Sequence, residues 1–139
     1  MNPDVDTIVP PPYLDDLTRP FWQRLSEGAL SFQRCNACKT AWLPARAECP
    51  NCLAADCRRE DAKGGATLIS WVVYHVAYHP AFAKRLPYNV AVVQLDEGPR
   101  MISNIVGARG VDGSLQVDMP LRLVIEREGD VAVPRFAPA

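Results

Sequence analysis

The sequence predicts a mainly β chain in three parts: a short N-terminal helix (residues 1–29 with its leading arm), a cysteine-rich ribbon organised by a metal (30–62), and a five-stranded barrel (63–139). Three observations predict it. Four cysteines stand in two tight pairs, Cys35-Asn-Ala-Cys38 and Cys49-Pro-Asn-Cys52, within eighteen residues. After Gly64-Gly65 the pattern changes to apolar runs rich in Val, Ile, Leu and aromatics, bounded by turn residues. Ahead of the cysteines, Phe21 and Leu25 lie four apart, the spacing of one helix face.

Composition bounds the rest. The chain has 139 residues, 48% of them apolar, enough for one modest domain or two small ones sharing an interface. Fifteen basic residues against sixteen acidic ones leave a net charge of −1, which supplies no field for nucleic acid or an anionic membrane. No segment is long and apolar enough to span a bilayer, and the first residues lack the basic start and apolar core of a secretory signal. Five cysteines, four of them in tight pairs, suit a reducing compartment better than a disulfide scaffold. The expected location is cytoplasmic.

Along the chain, residues 1–12 are acidic and end in Pro10-Pro11-Pro12, so they read as an extended or disordered arm. Thr18 is placed to cap the helix, Pro20 suits its first turn, and Gly28 stops it. Its face with Phe21 and Trp22 either packs on its own domain or docks on a partner. In the ribbon, short strands are expected at Leu30–Gln33 and Ala41–Leu43. In the barrel they are expected at Ala66–Tyr78, Tyr88–Leu95, Arg100–Val106, Leu121–Arg127 and Val131–Phe136, with tight turns at 96–99 and 128–130. Five strands in so short a segment, the first one long, point to a small OB-type barrel, since closure removes exposed edges.

The chemistry is concentrated in the cysteines. Two Cys-x-x-Cys knuckles present two sulfurs each to one point and together complete a tetrahedron around a zinc ion, in a rubredoxin-like zinc ribbon. Lys39 offsets the charge of a four-thiolate site. Four protein ligands leave no open position, so the zinc is structural. Cys57 reads as a small buried hydrophobe, because no base stands near it in sequence. His75 and His79 sit on a strand-like run, where four residues span roughly 13 Å, too far for one shared ion. His79 opens the loop His79-Pro-Ala-Phe82, where binding groups tend to sit. Asp96 and Glu97 are adjacent in a turn and do not converge. No Gly-x-Ser-x-Gly, phosphate loop or His-Glu-x-x-His is present, so nothing builds an active site alone.

Helix, four-cysteine ribbon and small barrel together resemble a zinc-ribbon/OB-fold family catalogued as domain of unknown function 35, over residues 18–137. The resemblance rests on Pro20-Phe-Trp, the two knuckles, His79-Pro-Ala-Phe82, the run from Pro87 to Arg100, Ser103-Asn-Ile-Val-Gly107 and the closing Pro134-Arg-Phe-Ala-Pro138. Tyr88 to Gly107 is its most specific part. Asp118 departs from it, standing where the family often has Gly, which puts the local turn in question.

The resemblance implies a non-catalytic subunit of a thiolase-fold acyl-CoA enzyme, an aldolase or acyltransferase, with steroid side chains or other lipids carried as CoA thioesters. Other members of the family accompany hydratases. The partner is then a large subunit in a hetero-oligomer, and the small chain completes the acyl-CoA site. On this chain the implied contacts are His79, Phe82, Tyr88, Arg100 and Arg109, although solvated surface is the commoner fate of such arginines. The expected docking surface is the N-terminal half, anchored by Trp22, Phe32 and Trp42, or else these three are the ribbon's own core. The rival reading is a single-stranded nucleic-acid-binding module, since OB barrels bind strands through a positive groove with stacking aromatics. Near-balanced charge in the barrel segment argues against it.

Overall fold

A computed structural model describes residues 8–139. Asp4, Asp6 and more than half of the expected arm lie outside the described residues. Helix α1 covers Arg19–Ser26. Its start differs from expectation. Thr18 occupies the cap position, but its hydroxyl donates to Tyr13 O and accepts from Asp15 N. The Asp15 carboxylate instead accepts from the backbone N–H of Leu17 and Thr18, so a turn closed by Asp15 precedes the helix. Its end follows the sequence. Gly28 takes φ +98, and Gly28 N and Ala29 N donate to Leu25 O and Arg24 O, the paired bonds of a left-handed C-terminal stop.

Strands β1 (Ser31–Cys35), β2 (Ala41–Trp42) and β3 (Cys57–Asp61) form one antiparallel sheet in the order β2-β1-β3. The expected ribbon strands differ by one or two residues at their ends. β3, a charged Cys-Arg-Arg-Glu-Asp segment without apolar alternation, is set by its full register against β1, Cys35 facing Cys57 and Ser31 facing Asp61.

The second sheet has strands β4 (Gly65–Tyr74), β5 (Tyr88–Leu95), β6 (Arg100–Ser103), β7 (Pro120–Glu128) and β8 (Val131–Pro138) in the order β6-β5-β4-β7-β8. The long β4 pairs with both β5 and β7, and a bulge between Leu68 and Ser70 lets it bend between them. The sheet curls into an OB-like half-barrel whose outer edges meet just past β6. There Ile105 bridges Phe136 in parallel, and Val106 N donates to Phe136 O at 2.7 Å.

Two strands are shorter than expected. β4 stops at Tyr74 rather than Tyr78 because its last partner is Tyr88, where β5 begins after Pro87. Residues 75–79 therefore leave the sheet, and 80–85 form a 3₁₀ turn. β6 stops at Ser103 rather than Val106 because Asn104 and Ile105 turn toward Asn89 and Phe136. Asp118 adopts φ +68, a left-handed conformation that Asp tolerates, so the turn survives without glycine.

One apolar core joins all three parts. Leu25 from α1 and Leu30 and Phe32 from the ribbon are buried with Leu68, Val93, Leu95, Ile105, Leu121 and Phe136 of the barrel. Phe21 and Trp22 pack against it, half-buried. Phe32 is fully buried and Trp42 is 4% exposed, so neither can anchor a partner. Of the three aromatics expected at a docking surface, only Trp22 retains exposed area. No described helix is long and apolar enough to cross a membrane.

Candidate functional site

The two knuckles are local copies of each other, fourteen positions apart. In the first, Cys35 N donates to Thr40 O at 2.8 Å and Lys39 N to Cys35 O at 3.1 Å. In the second, Cys49 N donates to Ala54 O at 2.9 Å and Leu53 N to Cys49 O at 3.0 Å. Lys39 and Leu53 are both left-handed, at φ 68 and 65. That conformation turns each chain back so that the paired cysteines face one point.

The four sulfurs lie within 4.8 Å of one another. Cys35 and Cys52 Sγ are 3.5 Å apart, and Cys38 and Cys49 Sγ 3.6 Å. A tetrahedron with Zn–S bonds of about 2.3 Å has sulfur–sulfur edges of about 3.8 Å, so the cluster fits a structural zinc ion.

The surroundings favour thiolates at one side of the cluster. The Cys38 thiol is drawn down to about 5, first by the Thr40 hydroxyl 3.2 Å away, then by the Thr40 backbone and the Asn51 amide. Cys35 is lowered by the Cys38 backbone N–H. At Cys52 a lowering contact from the Ala54 backbone is outweighed by the neighbouring sulfurs, which push it up to about 12. Four sulfurs this close cannot all ionise unless a cation sits among them.

Cys57 lies beside this cluster, with Gln33 Nε2 3.5 Å from its sulfur. Buried Gln33 also clamps Arg46 through both ends of its amide, at 2.9 Å each. This bond pair holds the segment between the knuckles against β1.

A cleft of about 250 Å³ opens on the barrel between the 3₁₀ turn, the 104–109 segment and the outer faces of β7 and β8. Phe82, Tyr88 and Arg109 all line it, so three residues distant in sequence converge. His79 stands behind them. Its Nδ1 accepts from Ala81 N at 3.1 Å, capping the turn that carries Phe82, and its ring lies 6.3 Å from Phe82. Tyr88 in turn packs 5.7 Å from Phe82 and 5.2 Å from Tyr74. Arg100 does not join them. It pairs opposite Gln94, near the far end of β5 from Tyr88, some six residues or roughly 20 Å away.

Six further residues shape the cleft and were not singled out by sequence. Buried Asn89 donates to Ile105 O and Ala108 O and accepts from Ile105 N, fixing the cleft's back wall. Asn104 Nδ2 donates to Asn89 O at 2.6 Å. Both asparagines fall in the strings that carry the family resemblance, which is the only signal they gave.

The other four form an ion-pair chain. Arg85 grips Glu128 through both nitrogens at 2.6 and 2.9 Å, and Arg135 bridges Glu128 at 2.6 Å and Glu126 at 2.9 Å. Arg85 also lies 5.2 Å over the Phe82 ring. The Arg85 hydrogen bonds, followed by those of Arg135, hold Glu128 down to about 2 against its burial. Arg85 and Glu128 are 43 positions apart, so no local pattern could pair them. The lining contains neither a thiol, a hydroxymethyl side chain nor an imidazole. Its aromatics, amides and guanidinia can hold a ligand in place, and its carboxylate, Glu126, is paired with Arg135.

A family model described as the ChsH2 rubredoxin-like zinc ribbon domain matches residues 22–58, and one described as the ChsH2 C-terminal OB-fold domain matches residues 59–126. A Thermomonospora curvata protein described as a probable enoyl-CoA hydratase alpha subunit is 36% identical over 121 residues. The match takes in 86% of this chain but only 37% of that protein, so the chain spans little more than a third of that relative's length. A Methanocaldococcus jannaschii protein described as a DUF35 domain-containing scaffold protein is 31% identical, over 81% of each chain.

Among solved structures, one chain of an Ltp2-ChsH2(DUF35) aldolase superposes with a TM-score of 0.80 at 32% identity. The match covers 92% of this chain and 98% of that one. A Sulfolobus solfataricus protein of unknown function from the DUF35 family shares the fold at 14% identity, with a TM-score of 0.64 over 91% of this chain and 88% of that one.

Proposed function

The chain belongs to the family built from the ChsH2 zinc-ribbon and OB-fold domains, and on that premise we propose that it is an accessory, non-catalytic subunit of an enzyme complex acting on acyl-CoA thioesters. The observation that carries the reading is the 32% identity over nearly the whole of both chains with one chain of an aldolase complex. The large partner is a thiolase-fold subunit that performs aldol cleavage or acyl transfer on a steroid or other lipid thioester. In this reading Cys35, Cys38, Cys49 and Cys52 hold one structural zinc. The barrel cleft receives the polar part of the CoA thioester, with Phe82 and Tyr88 offering ring faces and Arg109 its exposed guanidinium to a phosphate. His79 acts through the turn it caps. Arg100, at the other end of β5, takes no part in this cleft.

We place the docking surface in the N-terminal half, while the barrel also exposes Val72, Val76, Tyr78, Ile102, Val111 and Val117. Tyr13 and Leu14 just after the arm and Leu53 on the second knuckle are large apolar side chains turned to solvent, at 81%, 44% and 67% exposure. They lie in the N-terminal half, where a partner is expected. A phosphate-backbone groove is disfavoured, because Arg85 and Arg135 are already committed to Glu126 and Glu128.

The test must leave α1 in place, since Leu25 is part of the common core and removing residues 1–29 would open it. Co-expressed with a thiolase-fold large subunit encoded beside it, the chain should elute as one complex on size exclusion. Removing residues 1–14 or changing Leu53→Asp should weaken that complex with zinc content unchanged. A large subunit that is soluble and fully active alone, and that the shortened chain binds unchanged, would sink the reading.

A further inference from the structure

A second cavity lies next to the cleft. A groove of about 400 Å³ runs over the seam where β6 and β8 approach, walled on its other side by α1 and the ribbon. Its walls are apolar: Trp22, Leu43, Pro44, Ile102, Val133 and Pro134. Ile102 lies on edge strand β6 and is 71% exposed. Arg135 supplies the groove's only charged side chain, at one end.

That end is shared with the cleft. Asn104 and Arg135 line both cavities. The Arg135 guanidinium is fixed there by Glu126, Glu128 and Asn104 Oδ1, the last at 3.5 Å from Nε. A rigid polar step therefore joins a polar cleft, in which Arg109 has no ion-pair partner among the described residues, to a larger apolar trough. One molecule that matches both has an anionic polar portion, a polar link and a bulky apolar end.

We propose that the seam groove takes the apolar acyl portion of a thioester whose CoA portion lies in the cleft, with Asn104 and Arg135 at the junction. This rests on the acyl-CoA reading above and deepens it. The acyl group is then held by this chain between helix, ribbon and barrel, and the groove's volume favours long or ring-bearing acyl groups over acetyl. Covering Ile102, Val133 and Trp22 with hydrocarbon removes apolar area from water, which is the source of the selectivity.

The experiment titrates the full zinc-loaded chain with CoA, acetyl-CoA and dodecanoyl-CoA below its micelle concentration, by calorimetry. Dodecanoyl-CoA should bind at least tenfold tighter than acetyl-CoA. Ile102→Asp, at an exposed position, should remove that margin and leave acetyl-CoA affinity unchanged, while Ile102→Leu should retain the margin. Arg109→Ala should weaken all three ligands alike. Equal affinity for the two thioesters, or a margin that survives Ile102→Asp, overturns the groove assignment while leaving the cleft reading in place. Ile102→Asp abolishing only assembly with the large subunit also overturns it, and makes the groove a protein-docking surface. Failure of the chain to bind any of the three, alone or in the complex, removes the cleft reading and this inference together.

Discussion

The ribbon and the barrel are stabilised by different physics. Between Asn36 and Asp56 the ribbon buries little besides Trp42 and Cys49, and its shape comes from two knuckles whose backbones fold back on their own cysteines. The barrel buries a contiguous set from Ala66 to Phe136, and its strands are held by mutual register. Where α1 and β1 meet the barrel, Leu25, Leu30 and Phe32 enter that same core, so the ribbon's base is hydrophobic and its tip is organised around the four-cysteine cluster. The difference shows that a small chain can combine a four-cysteine cluster that fits zinc with a core that runs from helix and ribbon into the barrel.

The largest effect expected from this contrast follows metal removal. Zinc binding by a four-thiolate site contributes on the order of 10–16 kcal/mol to folding such a segment. One zinc per chain should be found, and chelation or Cys49→Ser should abolish amide-exchange protection across residues 35–57 first. Protection in β4, β5 and β7 should persist. Simultaneous loss in both regions would show that the tip and the barrel fold as one unit.

Cutting at the barrel should give the opposite pattern. Phe136 is fully buried where the half-barrel's edges meet. Phe136→Ala should cost about 3–5 kcal/mol in denaturant unfolding, through lost burial and the cavity left behind. Zinc content should remain at one per chain. A change under about 1 kcal/mol would mean that the seam contributes little to the barrel.

The smallest expected effect concerns the ion-pair chain at the cleft. Glu128 has a folded value near 2, below the ordinary carboxylate value of 4.5. A carboxyl lowered on folding stabilises the fold above its unfolded value, and that contribution is lost as pH falls from about 4.5 toward 2. Its worth is on the order of 1–3 kcal/mol, since the group is mostly but not wholly shielded from water. The stability difference between the native chain and Glu128→Gln, measured from pH 7 down to pH 3, should shrink across that window. A difference independent of pH would remove Glu128 as its source.

How much of this was legible in sequence divides along the same line. Each knuckle is a local object: cysteines three apart, with a left-handed residue following the second, dictate where their sulfurs point. Strand β5 was legible to the residue because its alternation is strict and one face is buried. Strand β3 was not, because Arg58, Arg59 and Glu60 carry no apolar alternation and pair only by register against β1. The cleft was half legible. Phe82 and Tyr88 stand out as aromatics beside a loop; Arg135 meets Glu126 and Glu128 across the β7–β8 hairpin, but Arg85 reaches Glu128 from 43 positions away, which only the tertiary fold arranges.

By itself, then, the sequence determined the metal cluster, the stop of α1 at Gly28, the β character of the last 75 residues and the presence of a loop between β4 and β5. Each of these is fixed by interactions within a few residues, or by a period the chain repeats along its length. The tertiary structure alone decided that Phe32 and Trp42 turn inward, that Arg100 stands apart from Tyr88 and Arg109, and that Asn104 and Arg135 separate a polar cleft from an apolar groove. These depend on curvature and register between strands remote in sequence, which hydrophobic pattern constrains in face but not in position.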